Sequence, residues 1–339
     1  METLIPEICR LLNDTLSPEK AVLASATDGL DRLSRFPHFP LSLLAVATGG
    51  DSQGLRLAAA AYLKNFVRSW MDDNPQSLEL QRFRNQLAQA LLQAEPAVLK
   101  VLVEVFRLIV VKNFVKENTW PELVPELTSV IQRSNLIVQN GNAQWSTLNA
   151  LTVLQAILRP FQYFLNPKVR NESVPVQLEI IAKDILVPLQ ATFHDFVNKI
   201  LSFQDPFQDQ VQSKLEEIIL IICKCMYFSV RSYMPSALGP ILHSFCHDLF
   251  RILDSLSLDG ASDDGSLLRL KIAKRGLIIF SALVTRHRKH VDRLIPCVVD
   301  CAFKIAKQSG NVCNLDCLSE RIISLAFDVI SHILESGPW

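Results

Sequence analysis

The chain has 339 residues, 49% of them apolar, and its 34 Lys+Arg are matched by 34 Asp+Glu. That balance leaves no basic excess to displace counterions from phosphates, which argues against direct nucleic-acid binding over a broad face. The apolar content excludes a disordered chain, and glycine, 11 of 339 or about 3% against a usual ~7%, is too scarce for the many turns of a doubly wound sheet.

Helical periodicity dominates from one end to the other. It predicts helices over 2–13, 18–35, 40–48, 52–71, 77–94, 97–117, 120–134, 144–165, 176–201, 211–231, 237–256, 266–288, 291–308 and 315–335, with no strand-turn-strand pattern between them. The breaks carry helix-end residues: Ser17-Pro18, Gly49-Gly50, Asn74-Pro75, Glu95-Pro96, Gly141 and the acidic stretch from Asp259 to Gly265. In the fourth segment Leu55, Ala59, Tyr62, Leu63, Phe66 and Trp70 share one face, and Ala58, Ala60 and Ala61 allow close approach beside it. Only a narrow strip remains for Arg56, Lys64 and Arg68, as expected of a helix packed on two sides. Phe66 is expected to be a buried core ring.

The helices repeat. Lys64-Asn65-Phe66-Val67-Arg68 returns 48 residues later as Lys112-Asn113-Phe114-Val115-Lys116. Leu186-Val187-Pro188-Leu189 with Phe193 returns 52 residues later as Leu238-Gly239-Pro240-Ile241 with Phe245. Leu123-Val124-Pro125 and Leu294-Ile295-Pro296 open other helices in the same way. Two helices per period of this length predict an all-α fold, an α-solenoid of HEAT/ARM-type hairpin repeats wound as a right-handed superhelix.

The eight cysteines crowd toward the C-terminal half, and residues 1–20 carry Glu2, Glu7 and Asp14 in place of a secretory apolar core. A reducing compartment with free thiols is expected, which empties the sequons at Asn13 and Asn171 of meaning. The longest apolar run, Ile218 to Val230, is 13 residues with Lys224 inside it, short of the ~20 a spanning helix needs, so no membrane insertion is expected. No Gly-x-x-x-x-Gly-Lys-Ser/Thr loop is present, and no cofactor is expected.

The stretch Arg56-Leu57-Ala58-Ala59-Ala60-Ala61-Tyr62-Leu63-Lys64-Asn65-Phe66-Val67-Arg68-Ser69-Trp70 resembles the N-terminal domain of the importin-beta family. Ala26 to Leu30, with Phe36-Pro37-His38-Phe39 and Leu43-Leu44, is similar to the first repeat of that domain, and Trp120-Pro121-Glu122-Leu123 to the opening of a later one. Where the family often has Asp-Phe-Pro before that Trp, this chain has Asn113-Phe114-Val115. The overall character is similar to importin-beta-like receptors of plants. The resemblance implies a nuclear transport receptor, not an enzyme, of nucleus, cytoplasm and nuclear pore. Its partners would be the small GTPase Ran in its GTP form, Phe-Gly nucleoporins and protein cargo. It implies a Ran-binding domain over 1–130 and further repeats over 131–339. The predicted helices make about seven repeats, fewer than family members hold, so an N-terminal portion of a receptor is expected. Carried onto this sequence, the Ran contacts fall on second helices: Asp28, Asp31 and Arg32; Lys64, Asn65 and Arg68; Lys112, Asn113 and Lys116. Asn65 and Asn113 also suit helix caps or bridges between repeats.

Gly50-Asp51-Ser52-Gln53-Gly54 matches the nucleophile elbow of serine hydrolases, but no strand-helix alternation surrounds it. Ser52 or Asp51 is read more simply as a helix N-cap. Cys297, Cys301, Cys313 and Cys317 have spacings a zinc site permits, but each pair lies at i,i+4 on a helical pattern, where Cys acts as a small core residue. For His287 and His290, in the basic run from Arg286 to Arg293, a phosphate or nucleic-acid patch is the alternative to the favoured reading of a solvated inter-helix loop. A repeat scaffold unrelated to transport is the alternative function, because fold alone does not select one.

Overall fold

The first hairpin joins α1 (Ile5–Asp14) to α2 (Lys20–Leu33), and the next two join α3 (Phe39–Gly49) to α4 (Gln53–Asp73) and α5 (Leu78–Gln93) to α6 (Pro96–Ile109). The computed structural model describes residues 4–73, 77–133, 143–169, 172–202, 209–256, 264–310 and 317–335. Among these, helix is the only regular element, and no strand is present. The breaks at Asn74-Pro75, Gly141 and Asp259 lie outside the described residues.

The chain divides into two units, Met1–Ile157 and Leu158–Trp339. In the first unit, first helices α1, α3 and α5 pack in sequence, while second helices α4 and α6 pack against each other behind them. α6 runs on through a π-helical segment (Val110–Lys116) into α7 (Leu123–Arg133) and α8 (Ala143–Leu158). Phe39, Phe83, Phe106 and Trp120 are fully buried there. Trp120 lies edge-on to Phe106 at 5.7 Å and under the Arg84 guanidinium at 5.3 Å, so the Trp-Pro segment is a core anchor.

The second unit repeats the scheme. A continuous helical stretch comprises α9 (Val176–Ile181), a π-helical turn (Ala182–Leu186) and α10 (Val187–Ser202). It is followed by α11 (Asp209–Val230), α12 (Leu242–Ser255), α13 (Asp264–Arg286), α14 (Ile295–Gly310) and α15 (Cys317–Glu335). First helices α10, α12 and α14 pack in order, as do second helices α11, α13 and α15. The repeat seen in the sequence is physical. Phe193 and Phe245, 52 positions apart, are both buried, with ring centroids 5.0 Å apart. His194 and Gln190 likewise reach across to Asp248 and Ser244. On α13 the absence of a side chain at Gly276 makes space for Leu253 of α12, since a Cβ there would sit 2.7 Å from the leucine's methyl.

Local chemistry sets the helix starts. Ser52 Oγ accepts from the Leu55 backbone N–H at 3.1 Å, capping α4, and Ser77 Oγ accepts from that of Leu80 at 3.0 Å, capping α5. Ser52 is thus occupied as a cap, in a setting with no strand before it. Pro96 stands in the first turn of α6, where no intrahelical N–H is required. The basic run after α13 is tied down rather than solvated. His287 Nε2–H donates to the Val230 carbonyl at 2.7 Å, and Arg288 donates to the Ile333 carbonyl at 3.2 Å. The apolar run inside α11 is buried core, and among the described residues no helix is long and apolar enough to cross a membrane.

Candidate partner-docking face

The residues expected to contact a partner lie on the second helices of the first three repeats: α2, α4 and the π-helical continuation of α6. Asp28, Asp31, Arg32, Lys64, Asn65, Arg68 and Lys116 are exposed. Asp31 accepts from Tyr62 Oη at 2.8 Å, which ties α2 to α4. Burial, and then this carboxylate, pushes the Tyr62 phenol well above its usual range. None of the ion pairs among the described residues uses Asp28, Arg32, Lys64, Arg68 or Lys116.

Two of the nine residues are built into the fold. Asn113 is 1% exposed, and its amide donates to Glu117 Oε2 at 2.9 Å. Lys112 Nζ donates to the Met71 carbonyl at 3.2 Å and to Asp72 at 2.9 Å, holding the π segment to the end of α4. The five-residue motif that repeats in the sequence therefore does not repeat its facing. In the ordinary α-helix α4, Asn65 points outward. The wider π turn shifts the phase of the second copy, and Asn113 turns inward.

Phe66 is half-buried, packed edge-on to Phe39 at 5.3 Å and stacked near Trp70 at 6.1 Å. With Tyr62, Trp70 and Phe36 it lines a groove of about 830 Å³ between α2, α4 and the start of α5. Arg56 is no surface strip residue. Its guanidinium bridges Glu95 at 3.1 and 3.2 Å and the Gly50 carbonyl at 2.7 Å, joining the second repeat to the third. Sequence reasoning missed Glu95 and Asn149. The Asn149 amide, 2% exposed on α8, donates to the Leu91, Leu92 and Ala94 carbonyls at the end of α5. Glu95-Pro96 was legible only as a helix break, and nothing local to Asn149 signals its role.

On the first-helix side, α3 and α5 leave a slot of about 400 Å³ lined by Leu44, Ala45, Gln89 and Ala90. The cysteines divide by burial. Cys223 and Cys246 are buried, which raises each thiol to about 12, and Cys225 is pushed up further. On α14 Cys297 is exposed while Cys301 is buried, its thiol raised to about 12 by burial. Cys317 is exposed at the start of α15, and Cys313 lies outside the described residues.

Fold and surface together define an all-helical hairpin-repeat protein with charged side chains exposed along successive second helices. Residues 26–93 match the importin-beta N-terminal domain family. The chain is 24% identical over 136 residues to Exportin-2 of Danio rerio, a match covering 38% of this chain and 14% of that protein. The solved structure of the exportin Cse1 in its cargo-free, cytoplasmic state shares the fold, with a TM-score of 0.77 and 14% identity over 97% of this chain. The chain spans about a third of Cse1, 34% of its length. The family likeness is thus carried by residues 26–93, and over the rest of the chain the likeness is one of fold.

Proposed function

We propose that this chain serves as a nuclear transport receptor whose second-helix layer in residues 4–133 binds the small GTPase Ran in its GTP form. Asp28, Asp31, Arg32, Lys64, Asn65, Arg68 and Lys116 provide the contacts, and Lys112 and Asn113 hold the third second-helix in place. One observation carries this reading: within a matched importin-beta N-terminal domain, charged side chains on successive second helices stay exposed, and five of them are left out of every ion pair among the described residues. Charges of both signs suit a protein partner, where they set orientation and association rate. Nucleotide dependence would reside in Ran, whose switch loops are ordered by the γ-phosphate. The shallow slot between α3 and α5 supports contact with Phe-Gly nucleoporins on the opposite side, and protein cargo would be carried between nucleus and cytoplasm through the pore.

The test is affinity capture with Ran loaded with GTP or with GDP. Capture by the GTP form alone is expected. The double variant Lys64→Glu, Arg68→Glu should lose at least about tenfold in affinity, ~1.4 kcal/mol, with helicity unchanged. Equal capture of both nucleotide forms, or undiminished binding by the variant, refutes the assignment.

A further inference from the structure

The second helices of the second unit carry a concentration of positive charge that nothing above employs. Lys224 lies on α11, Lys271, Lys274 and Arg275 on α13, and Arg321 on α15, and these three helices pack side by side in that order. Positions 271, 274 and 275 are spaced i, i+3 and i+4, so they share one helical face. Lys271 and Arg321 are exposed, while Lys224, Lys274 and Arg275 are partly buried.

Neighbouring cations of this group feel one another. Burial, then the neighbouring Arg275 and Lys271, depresses the Lys224 ammonium; burial, then Arg321 and Arg275, depresses that of Lys274. The packing order α11, α13, α15 sets these cations on three adjacent helices. No ion pair among the described residues includes any of the five, although Arg269, two positions before Lys271, pairs with Glu216 at 3.2 Å. Glu217 supplies a weak opposing attraction at Lys224. The thiols of Cys223 and Cys225 are held protonated by burial and add no negative charge. Arg275 is braced over the Tyr227 ring at 4.9 Å from its centroid, which leaves the guanidinium edge for a carboxylate. A same-sign, partly desolvated row of this kind costs the folded chain energy that an anionic ligand recovers.

We propose that the α11–α13–α15 face binds an acidic, Asp/Glu-rich segment of a protein partner, its carboxylates bridging Lys224 to Arg275 and Lys274 to Arg321. Charge complementarity selects this occupant. A nucleic acid fits less well, because the chain as a whole is neutral and five cations are few for counterion displacement along a phosphate backbone. The aromatic ring on this face, Tyr227, is buried beneath Arg275 and presents no stacking platform. The inference stands apart from Ran binding, which concerns helices of the other unit.

The test is fluorescence anisotropy of the full chain at about 150 mM salt. The probes are a labelled Asp/Glu-rich peptide, a Lys/Arg-rich peptide of equal length, and a single-stranded oligonucleotide of equal charge. Saturable binding of the acidic peptide alone, weakening as salt rises, is expected. The double variant Lys274→Glu, Arg321→Glu should bind at least about tenfold more weakly, with unchanged helicity and unchanged capture by Ran-GTP. Lys271→Glu, a single exposed change, should move affinity the same way. Lys100→Glu, on α6, should not. Absence of saturable peptide binding, tighter binding of the oligonucleotide, or wild-type affinity in both stripe variants overturns the proposal.

Discussion

Asn149 offers a sharp test of how the repeats are locked together. Its amide enters from α8 and donates to the carbonyls of Leu91 at 3.0 Å, Leu92 at 3.3 Å and Ala94 at 2.9 Å. Leu91 and Leu92 belong to the last turn of α5, where carbonyls lack intrahelical partners, and Leu91 and Ala94 are buried. Asn149→Ala removes the donors and leaves the acceptors away from water. Two good hydrogen bonds at ~1 kcal/mol each, with part of an orphaned acceptor's ~1–3 kcal/mol, give a loss of about 2–3 kcal/mol. In a unit of this size each kcal/mol moves Tm by ~2–4 °C, so the transition should fall by about 4–12 °C. Thermal melting by circular dichroism measures it. Asn149→Asp is the control: it keeps the shape but sets a carboxylate against three carbonyl oxygens. At neutral pH it should be less stable than the Ala variant, and it should recover in acid, where the protonated carboxyl donates again. An Ala variant within ~0.5 kcal/mol of wild type, or an Asp variant more stable than Ala at neutral pH, refutes the clamp.

Two further outcomes follow from the packing. Phe66 is half-buried rather than a core ring, so Phe66→Ala should cost about 1.5–2.5 kcal/mol, below the ~3–5 kcal/mol of a fully buried Phe; a urea titration giving ~4 kcal/mol or none contradicts the groove geometry. His287 is depressed below 6.5 by burial, against the pull of its bond to the Val230 carbonyl, with His290, Arg286 and Lys289 adding to the depression. Its unfolded form takes up a proton first, so its contribution is complete above about pH 6.5 and is lost as pH falls toward the lower folded value. Urea midpoints of wild type should therefore drop more between pH 7 and pH 5 than those of His287→Gln; parallel profiles would show that His287 is not the titrating group.

Much of the architecture was legible in the residues. Helix positions followed the apolar period, and their starts followed Pro96, Ser52 and Ser77, because capping and periodicity are properties of contiguous chain. The Phe193–Phe245 pair was visible as a repeat before it was a contact, since identical hairpins stacked in register bring equivalent positions together. The candidate face was half legible. Lys64, Asn65 and Arg68 stand outward as the strip on α4 suggested, but Lys112 and Asn113 do not repeat them. The basic run around His287 read as solvated because its acceptors, the carbonyls of Val230 and Ile333, lie 57 and 45 positions away.

The amino-acid sequence by itself determined that the protein is a series of paired helices, where each begins to within about five residues, the repeat length, and the family its opening segment resembles. Only the tertiary structure decided which polar side chains remain available. A helix's own period sets its faces up to a rotation. That rotation is settled by the π turn at 110–116 and by the helices packed on either side. The same packing turned Asn149 and Arg56 into ties between repeats and gathered Lys224, Lys274 and Arg321 from three helices into one stripe.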